Sequence, residues 1–172
     1  MKKQYVVNVV GLRGRSGTRR EIRVIGKMDA LSVTGSSVPA TADVCFSGAI
    51  EAMDATDGLV AVGAVTAPWT GDCRRCLGQA SGSIDHAVRE IFEASPVEGE
   101  TYALESDVVD LEPMIREAVI LDLPEAPLCR SDCRGLCAVC GVDRNEVECD
   151  CVVEAVDPRW GALDLLKGLP DS

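Results

Sequence analysis

Residues 43–92 read DVCFSGAIEAMDATDGLVAVGAVTAPWTGDCRRCLGQASGSIDHAVREIF, and how this stretch folds decides the architecture. It contains three runs of apolar and β-branched residues, Asp43 to Met53, Gly58 to Pro68 and Ser81 to Phe92. Val44, Phe46, Ala49 and Ile50 lie in the first, Val60, Val62 and Val65 in the second, and Ile84, Ala87 or Val88, and Ile91 in the third. Such residues suit a pleated, half-buried surface. The turn Asp54-Ala55-Thr56-Asp57-Gly58 separates the first two runs, and the segment around Cys73 and Cys76 separates the others. The reading is an antiparallel meander with the C-x2-C pair Cys73-Arg74-Arg75-Cys76 at a hairpin tip, a common place for a zinc knuckle.

Upstream, Tyr5 to Leu12 is rich in Val and predicts a first strand that runs into a basic loop punctuated by Gly11, Gly14 and Gly17. Ser, Gly and Thr between Met28 and Pro39 indicate a loop or a weak edge. Downstream, residues 94–106 read as a loop. Leu111, Met114, Ile115, Ala118 and Val119 then recur at helical spacing, with Asp110 as a cap and Pro124 as a stop, which predicts a helix over 110–123. Asp157-Pro158, followed by Trp160, Leu163, Leu166, Lys167 and Gly168, predicts a short C-terminal helix. The expected class is α+β: an antiparallel sheet or partly open barrel with one long helix, a short C-terminal helix and a cysteine-rich zinc-binding segment. Residues 1–124 form the β domain with its basic arm, and residues 125–172 pack on it.

The chain has 172 residues, 47% of them apolar, with two each of Phe, Trp and Tyr, so its core must be built mainly from Val, Ile, Leu and Ala. No run approaches the roughly 20 apolar residues of a membrane span. The net charge of −11 is unevenly spread. Residues 1–27 carry Lys2, Lys3, Arg13, Arg15, Arg19, Arg20, Arg23 and Lys27 against Glu21 alone. This arm could neutralise phosphates, with Arg13, Arg15, Arg19, Arg20 and Arg23 as candidate RNA contacts, or it could be a solvated turn. The acidic remainder could receive a basic protein.

Eight of the nine cysteines are candidate metal ligands: Cys73, Cys76, Cys129, Cys133, Cys137, Cys140, Cys149 and Cys151. Cys137, Cys140, Cys149 and Cys151 can close a local four-thiolate site. Cys73, Cys76, Cys129 and Cys133 remain for a second, long-range site, giving two structural Zn²⁺ ions. A plain zinc ribbon from Cys73, Cys76, Cys137 and Cys140 is the rival pairing, and an iron–sulfur cluster also takes four thiolates. Cys45 sits in a strand pattern as a small hydrophobe. A disulfide framework is disfavoured by the odd count and by a start that does not read as a signal peptide, so a reducing cytoplasm is expected.

Catalysis is poorly supported. Thioredoxin-type dithiols open a helix after a strand, whereas Gly78, Gln79, Ser81 and Gly82 follow Cys76, although Arg74 and Arg75 could lower a thiol pKa. Zinc hydrolases and deaminases need an open ligand position and a nearby acid or base, and the single histidine, His86, lies in a strand pattern.

The order Asp72-Cys73-Arg74-Arg75-Cys76-Leu77, an acidic loop, Asp110-Leu111 opening a helix through Leu121-Asp122-Leu123-Pro124, Pro127-Leu128-Cys129, Asp132-Cys133, Gly135-Leu136-Cys137, Cys140-Gly141, Asn145, Cys149, Cys151 and Asp157-Pro158-Arg159-Trp160 resembles the YceD family. The resemblance spans roughly residues 40–168. It implies a non-catalytic factor for synthesis, processing or stability of 23S rRNA, with the pre-ribosomal large subunit or a basic large-subunit ribosomal protein as partner. No small-molecule substrate and no membrane are implied. The family's ligand pattern also implies the pairing of Cys73 and Cys76 with the pair after the helix. Where that pattern reads Asp-Leu-Asn this chain has Asp143-Arg144-Asn145, which removes an apolar anchor from the loop.

Overall fold

The structure, a computed structural model, describes residues 4–15, 17–53 and 58–152. Its elements are β1 (Val6–Asn8), β2 (Arg19–Gly26), β3 (Leu31–Ser32), β4 (Ser36–Val38), β5 (Val44–Ala52), β6 (Leu59–Asp72), β7 (Gln79–Glu93), β8 (Tyr102–Glu105), β9 (Val108–Asp110) and α1 (Glu112–Asp122). The centre is the long antiparallel β6–β7 hairpin, in register from Leu59 opposite Phe92 to Asp72 opposite Gln79. The other edge of β6 is shared. Its first part pairs with β5, which pairs in turn with β2, and its last residues pair with β4 of the small β3–β4 hairpin. Beyond β7 the sheet continues through β8 and β9 to β1.

The sheet curls into a half-barrel. Gly48 and Gly63 lie directly opposite each other in β5 and β6, and a Cβ on Gly63 would come within 2.4 Å of the Ser47 carbonyl oxygen. Glycine within a strand allows such close approach and sharp bending. Farther along the hairpin, Trp69 lies over Gly82, its cross-strand partner, so the ring fills the space a side chain would occupy. The β1 end returns towards β2: Gln4 Oε1 accepts from the Lys27 N–H at 2.6 Å, and Arg20 donates to the Asn8 carbonyl. Side chains rather than a strand ladder bridge this gap.

Inside the curl lie Phe46, Ile50, Leu59, Val65, Ile84 and Phe92, all essentially inaccessible. Helix α1 packs Met114, Ile115, Ala118 and Val119 onto this layer, mainly against β6 and β7. Phe92 stacks on Tyr102 with ring centroids 5.3 Å apart. Tyr5 is buried with its hydroxyl donating to the Val44 carbonyl at 3.2 Å, and burial, with Glu112 nearby, pushes its pKa up to about 12.

The expected α+β class is therefore corrected to a mostly β fold: nine strands and a single 11-residue helix occur among the described residues. The expected C-terminal helix falls on residues outside those described. The basic arm is not a loop, because residues 19–26 form β2. Ile22 and Val24 pack against the core every second residue, but the interleaved Arg and Glu hide that period from a hydropathy reading. The stretch 94–106, read as a loop, likewise contains β8, with Leu104 buried, and β9 follows it, with Val109 buried. The sheet is also not wholly antiparallel, since β7 and β8 run parallel. Asp110 ends β9, and its carboxylate accepts from the Glu112 N–H at 3.1 Å at the start of α1. We expect Gly63→Ala to push β5 from β6 and destabilise the fold by about 1–3 kcal/mol, read as a lower denaturant midpoint.

Candidate metal centre

The β6–β7 hairpin ends in a tight turn. The Cys73 N–H donates to the Gly78 carbonyl at 2.7 Å, and the Leu77 N–H donates back to the Cys73 carbonyl at 2.9 Å. Cys73 and Cys76 thereby project sulfur from one side of the turn. The chain after α1 is stitched alongside: Ser36 Oγ donates to the Pro124 carbonyl, the Arg74 N–H to Pro127 and the Leu136 N–H to Arg75. Arg75 turns its guanidinium to the Cys133 carbonyl at 2.9 Å, away from a role in activating a thiol. These contacts bring Cys129 and Cys133 to Cys73 and Cys76. The four sulfurs all lie within 4.8 Å of one another.

A second cluster repeats the geometry locally. The Gly141 N–H donates to the Cys137 carbonyl at 2.9 Å, as Leu77 does to Cys73, and the Val139 N–H points at Cys137 Sγ at 3.4 Å. Both turns place the residue after their second cysteine in the left-handed region, Gly141 at φ 74° and Leu77 at φ 61°. Cys149 and Cys151 complete this cluster, again with all sulfurs within 4.8 Å.

These separations fit a single ion in each cluster. A Zn–S bond of about 2.3 Å at tetrahedral angles sets sulfurs about 3.8 Å apart. Cys73 and Cys133 are 3.8 Å apart and Cys76 and Cys129 3.6 Å, far longer than the roughly 2.05 Å of a disulfide. All nine cysteines are free thiols. A cage of several irons would spread its thiolates over several metal atoms, whereas these sulfurs converge on one point.

The thiols differ in acidity because backbone N–H groups are aimed at some of them. Cys73 is pulled down to about 6, first by the backbone at Cys129 and then by that at Cys76. Cys137 is also lowered to about 6, by the backbone at Cys140 and Val139. Cys129 is pushed up to about 12 by desolvation and neighbouring thiols, and Cys151 to about 12, chiefly by Cys140. At Cys133 desolvation raises the pKa, but hydrogen bonds led by the Asn145 side chain outweigh it and the net shift is downward. Without a cation, four adjacent thiols cannot all ionise, and a divalent ion removes that conflict.

The remaining sequence candidates lie elsewhere. Cys45 is on β5, and His86, on β7, faces Asp122 with Nδ1 3.7 Å from its carboxylate. Arg19 pairs with Glu21 and Glu51, Arg20 reaches the Asn8 carbonyl, and Arg13 contacts the Ser106 carbonyl and Asp107, so these three have partners within the fold, while Arg15 and Arg23 are exposed. Position 144 is held through its backbone, whose N–H donates to the Gly135 carbonyl at 2.9 Å; the Arg144 side chain is exposed, so the lost leucine is not what fixes this loop. Residue spacing alone gave no sign of the roles of Arg75 and Asn145, both of which hold ligand loops by contacts distant in sequence.

Together these features define a small curled β protein with two four-thiolate clusters, one joining distant parts of the chain and one local. The family model described as "Large ribosomal RNA subunit accumulation protein YceD" matches residues 61–167, and the chain belongs to the YceD family. It is 37% identical over 124 residues to an uncharacterized protein of Mycobacterium tuberculosis, covering 68% of this chain and 59% of that one. An uncharacterized protein of Mycobacterium leprae is 37% identical over 116 residues, covering 63% and 52%. The chain thus spans little more than half the length of these curated relatives. "Large ribosomal RNA subunit accumulation protein YCED homolog 1, chloroplastic" of Arabidopsis thaliana is 36% identical over 59 residues, 34% of this chain and 18% of that one. No solved structure matches. Among the described residues no helix is long and apolar enough to cross a membrane.

Two outcomes follow. Taken alone, the lowered Cys73 and Cys137 pKa values favour the fold at high pH, a contribution lost as pH falls from about 9 through about 6, while the raised Cys129 and Cys151 values oppose it as pH rises from about 9 towards about 12. Because metal binding also releases thiol protons, chelator competition should show Zn²⁺ affinity falling steeply over the same descent. Leu77→Gly should keep metal binding intact and stabilise the fold by about 0.5–1 kcal/mol, read as a higher denaturant midpoint, because the residue is strained in the left-handed region and largely exposed.

Proposed function

We propose that the chain is a non-catalytic factor, stapled by two structural Zn²⁺ ions, that serves synthesis, processing or stability of 23S rRNA during assembly of the large ribosomal subunit in the cytoplasm. The observation that carries this reading is a match to an rRNA-accumulation family over a chain whose eight clustered cysteines form two convergent tetrads. Zinc is the favoured ion because it takes four thiolates in closed tetrahedral sites. Such a site offers no open position to water or substrate, and the role is therefore one of shape and contact.

Phosphate contact is assigned to the exposed cations Arg15 and Arg23, supported by the basic balance of residues 1–27. Few aromatic side chains are available for base stacking, so binding would follow backbone charge rather than sequence. A second reading has a specific feature in its favour. Glu90, Glu98, Glu100 and Glu117 line a cleft of about 540 Å³ beside the exposed Leu121, a surface complementary to a basic segment of a large-subunit ribosomal protein.

Depletion of the protein should lower the ratio of large to small rRNA; an unchanged ratio would refute the rRNA role. Arg15→Glu with Arg23→Glu should abolish salt-sensitive co-sedimentation with large-subunit precursors. Retained sedimentation, lost instead when Glu98 and Glu100 become Lys, would transfer the contact to the acidic cleft.

A further inference from the structure

The two cysteine tetrads are separate in ligands but not in structure. Residues 141–148, between the two ligand pairs of the second tetrad, fold back over residues 130–136, which follow and include the last ligand of the first. The Cys137 N–H donates to the Val142 carbonyl at 2.9 Å, Leu136 and Asp143 form a β-bridge, and Arg144 donates to Gly135. Arg134 pairs with Glu148 at 3.3 Å.

Asn145 sits at the middle of this clasp with its amide fully used. Its Oδ1 accepts from Arg130 Nη2 at 2.7 Å and from the Arg134 N–H at 2.8 Å. Its Nδ2 donates to Asp143 Oδ1 at 2.7 Å and to Cys133 Sγ at 3.4 Å. The reverse orientation would point the NH₂ at two donors, so the network itself fixes which atom faces the sulfur. Asn145 belongs by sequence to the loop closed by Cys140 and Cys149, yet its donor serves Cys133 of the other tetrad.

We infer that Asn145 is a positioning residue that couples the two metal sites: an ion in the Cys137, Cys140, Cys149 and Cys151 tetrad raises the affinity of the Cys73, Cys76, Cys129 and Cys133 tetrad. An ion held by Cys140 and Cys149 closes the loop between them and supplies the ordering entropy that Asn145 would otherwise need to reach Cys133. The amide N–H then donates to Cys133 Sγ and holds that sulfur facing the other three ligands, so less ordering is left for the first ion to impose. Linkage makes the effect reciprocal, so an ion in the first tetrad favours closure of the second. The inference rests on the reading of both tetrads as zinc sites.

The test compares four full-length chains: wild type, Asn145→Ala, the double variant Cys149→Ser and Cys151→Ser, and that double variant with Asn145→Ala. Zn²⁺ is titrated into each against a chromophoric chelator, and the overall loading constant is read. Asn145→Ala should lower the constant of the two-site chain about 10-fold or more, as losses of such outer partners do. In the chain without the second site the same change should stay within the roughly twofold scatter of uncoupled positions. Equal losses in both backgrounds would make Asn145 a local partner of Cys133 and overturn the coupling, as would no loss in the two-site chain. Asn145→Asp, which keeps the acceptor and removes the donor, should show the same background dependence, and circular dichroism of each loaded chain confirms that the sheet is retained. No uptake by either chain would overturn the zinc reading itself, an outcome distinct from uptake without coupling.

Discussion

The architecture turns on one junction, where the tip of the β6–β7 hairpin meets the segment that follows α1. Cys73 and Cys133 are 60 positions apart in the chain, yet their sulfurs are 3.8 Å apart. Around them a second, small apolar cluster forms from Cys73, Ala80 and Cys133, flanked by Trp69 and Leu128. The main core fills the rest of the hairpin and meets this small cluster through Trp69, which packs against both. Backbone bonds from Arg74 to Pro127 and from Leu136 to Arg75 align the two segments, but few apolar side chains lie between them. An ion bound by these four cysteines would supply cohesion that the few apolar side chains here do not.

The junction also explains the charge pattern near the clusters. Four thiolates on a divalent ion leave an anionic site. Arg74, Arg75, Arg130, Arg134 and Arg144 all come from the segments that carry or adjoin the ligands, in a chain that is strongly acidic. Arg75 and Arg130 reach carbonyl and amide oxygens of the ligand loops rather than solvent alone. Their positive charge offsets that of the site while their hydrogen bonds hold the loops. Arg15 and Arg23, in contrast, are exposed and come from a segment that carries no ligand.

Much of the arrangement could be read from residues alone. The Val-rich and Ala-rich runs of β5, β6 and β7 announced strands because their apolar content is dense and their turns carry Gly and Asp. The helix announced itself through Leu111, Met114, Ile115, Ala118 and Val119 at helical spacing. The cysteine groups were visible because C-x2-C spacing is dictated by the reach of one turn around one ion. Strand β2 escaped notice because only Ile22 and Val24 mark its inner face among charged residues, and its partner β5 decides its conformation. The short strands β8 and β9 were hidden for a related reason: each is stabilised by neighbours brought together by the curl. The role of Asn145 depends on a fold-back that no local pattern encodes.

The central claim is that metal in both tetrads holds the hairpin tip and the cysteine-rich segment together. It is tested most directly by elemental analysis of protein purified without added metal, followed by thermal unfolding before and after chelation. The account predicts about two Zn per chain, with chelation lowering the midpoint and exposing the segment from Cys129 to Cys151 to proteolysis. A metal-free chain that keeps the same midpoint and the same protease resistance would contradict it.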